Sequence, residues 1–146
     1  MAKKGEIINL NLEFYPEIVN KNRRKYTQKA YDEVIDNIRK RVSSKSNEII
    51  YVSYSQGFNP KNFSIDIKDC IGFVKAINID TVPSTVDIKL WRDIKDAELD
   101  VMCLSPVTIS PIKTEHNTII IDRIDKIISL MYHPKTTSSW HNIKKE

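Results

Sequence analysis

The sequence predicts an α+β fold, a mostly antiparallel β-barrel with one main amphipathic helix packed outside it, and three observations lead there. Segment after segment alternates apolar and polar residues at the two-residue period of a half-buried strand. One stretch, Thr27 to Val42, repeats its apolar residues at helical spacing instead. With 146 residues and 40% hydrophobic content, the chain can build one sizeable core but not two comfortable ones. The domain is expected over residues 1–135, followed by a polar tail over 136–146.

From Glu6 to Phe14, Ile8, Leu10, Leu12 and Phe14 alternate with Ile7, Asn9, Asn11 and Glu13, which predicts a strand stopped by Pro16. Asn20 to Tyr26 reads as a polar, basic loop. Thr27 is the expected N-cap of the helix, whose inner face carries Ala30, Tyr31, Val34, Ile35, Ile38 and Val42. Glu48 to Tyr54 is strand-like, and Ser55 to Pro60 forms a loop through Gly57, Asn59 and Pro60. Alternation then runs from Ser64 to Ile79 and, after a turn around Pro83, through Val86, Ile88 and Leu90, as in consecutive antiparallel strands. Arg92 to Glu98 is a short charged connection.

Glu98 to Pro111 reads as a central strand with Ser105 at its middle, sharing a face with Leu99, Val101, Cys103, Val107 and Ile109. That placement leaves two options: a buried structural hydroxyl, or a nucleophile on the floor of a cleft. Thr118 to Asp122 is expected as strand, while Ile124, Ile127, Ile128 and Met131 fit a helical face as well as a strand. Beyond Pro134 the chain loses its periodicity and keeps one large apolar residue, Trp140, so the tail is disordered unless something docks it. Trp140 is a candidate anchor on a partner surface, with folding back onto its own barrel as the competing option.

Composition narrows the chemistry. No apolar run reaches the length of a signal peptide or a membrane span, which predicts a soluble protein made in a cytosol and no membrane partner. Cys70 and Cys103 lie in apolar stretches and need not pair. The formal charge of +4 permits an acidic partner without demanding nucleic acid. The basic run Lys21, Arg23, Arg24 and Lys25 is the candidate binding surface for phosphate or acidic peptide, although it lacks the interleaved aromatics of a single-strand binder. The histidines, His116, His133 and His141, come late, and neither cysteine stands at metal-ligand spacing from them. No metal and no cofactor are expected.

Asn20, Asn22, Arg24 and Tyr26 spell N-x-N-x-R-x-Y ahead of a helix, and the later pieces keep a definite order: Asn59-Pro60, the strand pair Ile71–Ile79 and Val86–Trp91, the Ser105 strand, and Ile119–Pro134. In these features the chain resembles the prohead (capsid maturation) serine proteases of tailed phages, whose fold is shared with the herpesvirus assemblins. The resemblance implies that Ser105 lies on the nucleophile strand, Asn59 where the family has its catalytic histidine, and Ser129 where it has the third triad member. Cys103, Leu104 and Pro106 replace the family's small glycine and arginine neighbours. Asn59 cannot take a proton at neutral pH and Ser129 cannot stabilise an imidazolium. The implied triad is therefore degenerate, with no catalytic residue expected among Asn59, Ser105 and Ser129.

Three function classes follow. The first is a non-catalytic phage structural or assembly protein (capsid-associated, scaffold or internal head component) in the host cytoplasm during assembly and in the virion. It would contact phage structural proteins or its own copies. The second is an active capsid-maturation serine peptidase that uses Ser105 with His116 or His133 as a non-standard base; the distance from either histidine to Ser105 discriminates it. The third is a small nucleic-acid-associated protein using the basic Lys21–Lys29 region.

Overall fold

The computed structural model describes residues 1–43, 48–54, 58–59, 61 and 64–143, the side chains of 58 and 59 excepted. In chain order the elements are β1 (Ile7–Asn11), β2 (Arg24–Tyr26), α1 (Gln28–Ser43), β3 (Tyr51–Tyr54), β4 (Phe58–Asn59), β5 (Ser64–Ile65), β6 (Cys70–Asn78), β7 (Thr85–Leu90), α2 (Asp96–Leu99), β8 (Met102–Ile109), β9 (Lys113–Glu115), β10 (Thr118–Ile121) and β11 (Lys126–Pro134). Two 3-10 turns, Ile67–Asp69 and Lys135–Thr137, complete the α+β fold.

Six strands form the main sheet in the order β1-β7-β6-β3-β11-β8. All neighbours are antiparallel except β3 and β11, which run parallel with Leu130 opposite Val52. The expected barrel is only half made. The sheet curls until its two edges meet at one place, where Leu12 bridges Leu104 and the Glu13 N–H donates to the Leu104 carbonyl at 2.8 Å. A second sheet, β2-β10-β9, pairs β2 parallel to β10. The loop expected over Asn20 to Tyr26 therefore ends as a strand, which hydropathy hides because Arg24 and Lys25 are polar.

α1 starts where its cap predicts, since Thr27 Oγ1 accepts the Ala30 N–H at 3.2 Å and satisfies one of the open amides of the first turn. Ala30, Tyr31, Val34, Ile35 and Ile38 are buried, and they join the core cluster built by Leu10, Leu12, Val52, Ile71, Val86, Ile88, Leu90, Leu104 and Leu130. Gly72 lets β6 and β7 approach, because a Cβ there would collide with the Lys89 carbonyl oxygen.

Two local expectations are corrected and one open choice is resolved. Leu99 and Val101 precede the central strand, which begins at Met102: Asp96 to Leu99 form a helical turn, and Val101 is exposed. Of the ambiguous residues, Ile127, Ile128 and Met131 lie in β11 and Ile124 in the connection before it, with a bulge between Ile127 and Ser129 that lets apolar positions slip out of a strict two-residue period. The tail after Pro134 is docked as far as it is described. Trp140 is 3% exposed and packs on Phe14, Tyr15 and Tyr26, with its ring edge-on to Phe14 at 5.7 Å. It is a core residue rather than a free anchor, because an aromatic cluster awaits it at the start of the chain.

Candidate functional site

β8 and β11 pair antiparallel, with Ser105 opposite Met131 and Cys103 opposite His133. Alternation sends Leu104, Leu130 and Tyr132 into the main core and places Cys103, Ser105, Met131 and His133 together on the other face. The apolar alternation around Ser105 predicts the reverse, with Ser105 on the buried face. Both faces of this strand carry apolar residues, so period alone cannot say which one meets the core.

On that second face Ser105 and His133 meet diagonally. Ser105 Oγ lies 2.7 Å from His133 Nε2, at hydrogen-bond distance. The other ring nitrogen, Nδ1, lies 2.9 Å from the Pro134 carbonyl and 3.1 Å from Thr137 Oγ1. A carbonyl can only accept, so a proton on Nδ1 leaves Nε2 as the acceptor of the serine O–H. The Thr137 hydroxyl donates to the same Pro134 carbonyl at 2.8 Å and locks the turn in this shape. Cys103 Sγ lies 3.7 Å from Nε2 and 3.9 Å from Nδ1, filling the space beside the ring.

His133 is 7% exposed. Burial holds its pKa below the ordinary histidine value of 6.5, while the hydrogen bond to Pro134 and the charge of Glu13 pull the other way. The ring is therefore neutral at neutral pH and free to take a proton.

Two cavities open beside Ser105. One, of about 420 Å³, is lined by Met131, His133, Pro134 and Thr137. The other, of about 200 Å³, is lined by Phe14, Asn20, Arg24, Tyr26, Pro106 and Trp140. Ser105, Asn22 and Ser139 border both. The N-x-N-x-R-x-Y loop thus forms one wall of the site. Asn20 shapes that loop: its Oδ1 accepts the N–H groups of Asn22 at 2.9 Å and Arg24 at 3.1 Å, and its Nδ2 donates to Ser139 Oγ at 3.3 Å. The Lys21 N–H donates to the Ser139 carbonyl at 2.8 Å, so the docked tail and the loop are tied together over Ser105.

The other candidate residues separate. Ser129 is fully buried, and its hydroxyl has no hydrogen-bond partner among the described residues, so it does not join Ser105. Asn59 sits in β4 opposite Ser64, and its side chain lies outside the described residues. Of the three implied triad positions, Ser105 pairs with His133 and not with Ser129. His116 is exposed in the β9–β10 turn with a left-handed φ of 49°, away from the cavities beside Ser105.

The basic run does not form one patch. Arg23 Nε donates to the Asn117 carbonyl at 2.9 Å, Lys25 lies 3.8 Å from Glu17, and the Arg24 guanidinium stands by the Tyr26 phenol at the smaller cavity. Lys21 is exposed. Among the described residues no group of three His, Cys, Asp or Glu side chains is placed to hold a metal ion, and no helix is long and apolar enough to cross a membrane. No protein-family model, no curated protein and no solved structure matches the chain.

The Ser105–His133 pair is half legible in the sequence. Its strand singles out Ser105, while His133 is one of two candidate bases. Its partner depends on the β8–β11 register, which no sequence period encodes.

Proposed function

We propose that the protein is a serine peptidase of the capsid-maturation type, acting on phage structural proteins during head assembly, with Ser105 as nucleophile and His133 as general base. The observation that carries the chemistry is the 2.7 Å contact between Ser105 Oγ and His133 Nε2, with Nδ1 turned to an acceptor. The setting in head assembly rests on the resemblance of Asn20, Asn22, Arg24, Tyr26 and the order of the later strands to the prohead proteases.

In the reaction Ser105 Oγ bonds to the substrate carbonyl carbon, its proton passes to His133 Nε2, and the carbonyl electron pair moves onto oxygen. Collapse of this intermediate re-forms the carbonyl, expels the amine with the proton from Nε2, and leaves an acyl group on Ser105. Water then repeats the sequence with His133 again as base. The imidazolium formed on the way is held by the Pro134 carbonyl and Thr137 hydroxyl rather than by a carboxylate. A neutral acceptor fixes the tautomer but stabilises the cation less, so a slow enzyme is expected.

A fluorophosphonate probe tests the reading. Mass spectrometry should find one adduct on Ser105, lost in His133→Ala; an unlabelled native protein would rule out the nucleophile.

The same geometry favours one other reading, a non-catalytic assembly protein on this fold. It draws on Pro106, which offers no N–H beside the nucleophile, and on the lack of a carboxylate on Nδ1. Presence in virions at high copy number, together with no labelling, would select it.

A further inference from the structure

Acyl transfer at Ser105 puts a negative charge on the substrate oxygen, and backbone N–H groups next to the nucleophile usually receive it. Here the backbone cannot do so in the ordinary way. The Leu104 carbonyl accepts the Glu13 N–H, so Leu104 faces the outer edge of β8. By alternation the amide of Ser105 turns inward to the ladder with Met131. The next backbone nitrogen to face outward belongs to Pro106, which carries no hydrogen. A side-chain donor must take its place.

Two side chains border both cavities with Ser105: Asn22 and Ser139. The side-chain amide of Asn22 has no hydrogen-bond partner among the described residues, although its backbone is held rigidly by Asn20 Oδ1 at 2.9 Å. The next residue, Arg23, takes a left-handed φ of 59°, and its N–H closes the turn onto the Asn20 carbonyl at 3.0 Å. Ser139 Oγ already accepts from Asn20 Nδ2, which leaves its O–H free to donate. Of the other candidate donors, the Arg24 guanidinium adjoins the Tyr26 phenol and borders only the smaller cavity, and Trp140 Nε1 is sealed from solvent.

We infer that Asn22 is a catalytic residue, its side-chain amide donating to the oxyanion formed on the substrate, with the Ser139 hydroxyl as the second donor. This rests on the Ser105–His133 reading and extends it, giving the N-x-N-x-R-x-Y loop a chemical role: Asn20 builds the turn and Asn22 presents the donor. An ammonium or guanidinium is not needed, since a neutral amide carried on a fixed backbone in a cleft can stabilise the oxyanion.

The test is the second-order rate of fluorophosphonate labelling, because the phosphonyl oxygen occupies the same position as the oxyanion. Asn22→Ala should label about 10²- to 10³-fold more slowly than the unmodified protein. Asn22→Asp should be slower still, since a carboxylate repels the developing charge. Both should keep the thermal midpoint, the side chain being exposed. Ser139→Ala should lose less than Asn22→Ala. Asn22→Ala labelling at the native rate overturns the assignment of Asn22 while leaving the dyad intact. An unlabelled native protein removes the dyad, and this assignment with it.

Discussion

Ser105 and His133 are not opposite each other on their strands; each faces a different partner, Met131 and Cys103, and their 2.7 Å contact runs diagonally across the ladder. Diagonal neighbours stand farther apart than direct ones, so a short serine needs a long ring to reach it. The contact thus tests the β8–β11 register as well as the chemistry. Replacing His133 by Asn, whose shorter side chain cannot span the diagonal, should abolish fluorophosphonate labelling. Ser105→Ala should abolish it too, with a stability change within about 1 kcal/mol in urea unfolding. Labelling that persists in Ser105→Ala would move the nucleophile elsewhere.

Acid should inactivate the site. His133 works as a base only when neutral, and burial lowers its pKa from 6.5. The labelling rate should therefore rise with pH through a midpoint below 6.5 rather than above it. Stability follows the same sign. The unfolded chain binds the proton more readily, so the contribution of His133 is complete above about 6.5 and is lost as pH falls through its lower folded value. His133→Gln should flatten this part of the pH–stability curve, and an unchanged slope would show that other groups dominate it.

Thr137 should act as a positioning residue for His133. Thr137→Val removes one acceptor of Nδ1 and the bond that fixes the Pro134 carbonyl, at 3.1 Å and 2.8 Å. About a tenfold slower labelling is expected, on the order of the 1.4 kcal/mol that one such hydrogen bond contributes. Thr137→Ser should restore most of it. Nitrogen NMR of His133 should find Nδ1 protonated in the native protein and a mixture of tautomers in Thr137→Val; the same mixture in both would deny Thr137 the role.

Trp140→Ala should destabilise the whole domain by about 3 kcal/mol or more, the usual cost of emptying a buried aromatic site. Calorimetry would read this as a lower melting temperature. An unchanged melting temperature would mean that the tail contributes nothing to the fold and would return Trp140 to the surface.

Gly72→Ala should cost about 2 kcal/mol or more, because the added methyl meets the Lys89 backbone and only a shift of β6 against β7 can relieve it. A shift in the urea midpoint is the measure. No change would imply a different pairing of the two strands.

Much of this molecule is legible in its residues. Thr27 and the Tyr31, Val34, Ile35, Ile38 stripe fix the helix and its buried face, and Val86, Ile88 and Leu90 mark the inner side of their strand as they should. What period-two alternation cannot carry is partner choice. The parallel pairing of β3 with β11, and of β2 with β10, joins segments far apart in sequence through backbone groups that every residue shares. For that reason the sequence leaves His116 and His133 as equal candidates to meet Ser105, and the tail reads as loose because its single tryptophan finds its cluster far away in the chain, at Phe14, Tyr15 and Tyr26. The signal available in the sequence is local: Ser129, Met131 and His133 alternate onto one side, and the register that sets Met131 opposite Ser105 brings His133 within reach.

The position of β11 between β3 and β8 also sets the order of events at the ribosome. It comes last in chain order among the described strands, yet it is an interior one. While it is still in the exit tunnel, β3 and β8 face each other across a gap with bare backbone edges, and Ser105 has no histidine beside it. A chain at this stage lacks the serine–histidine contact. It is also at its most vulnerable to pairing with a neighbouring chain, since an open edge accepts any strand that arrives. Insertion of β11 closes the gap and brings His133 to Ser105.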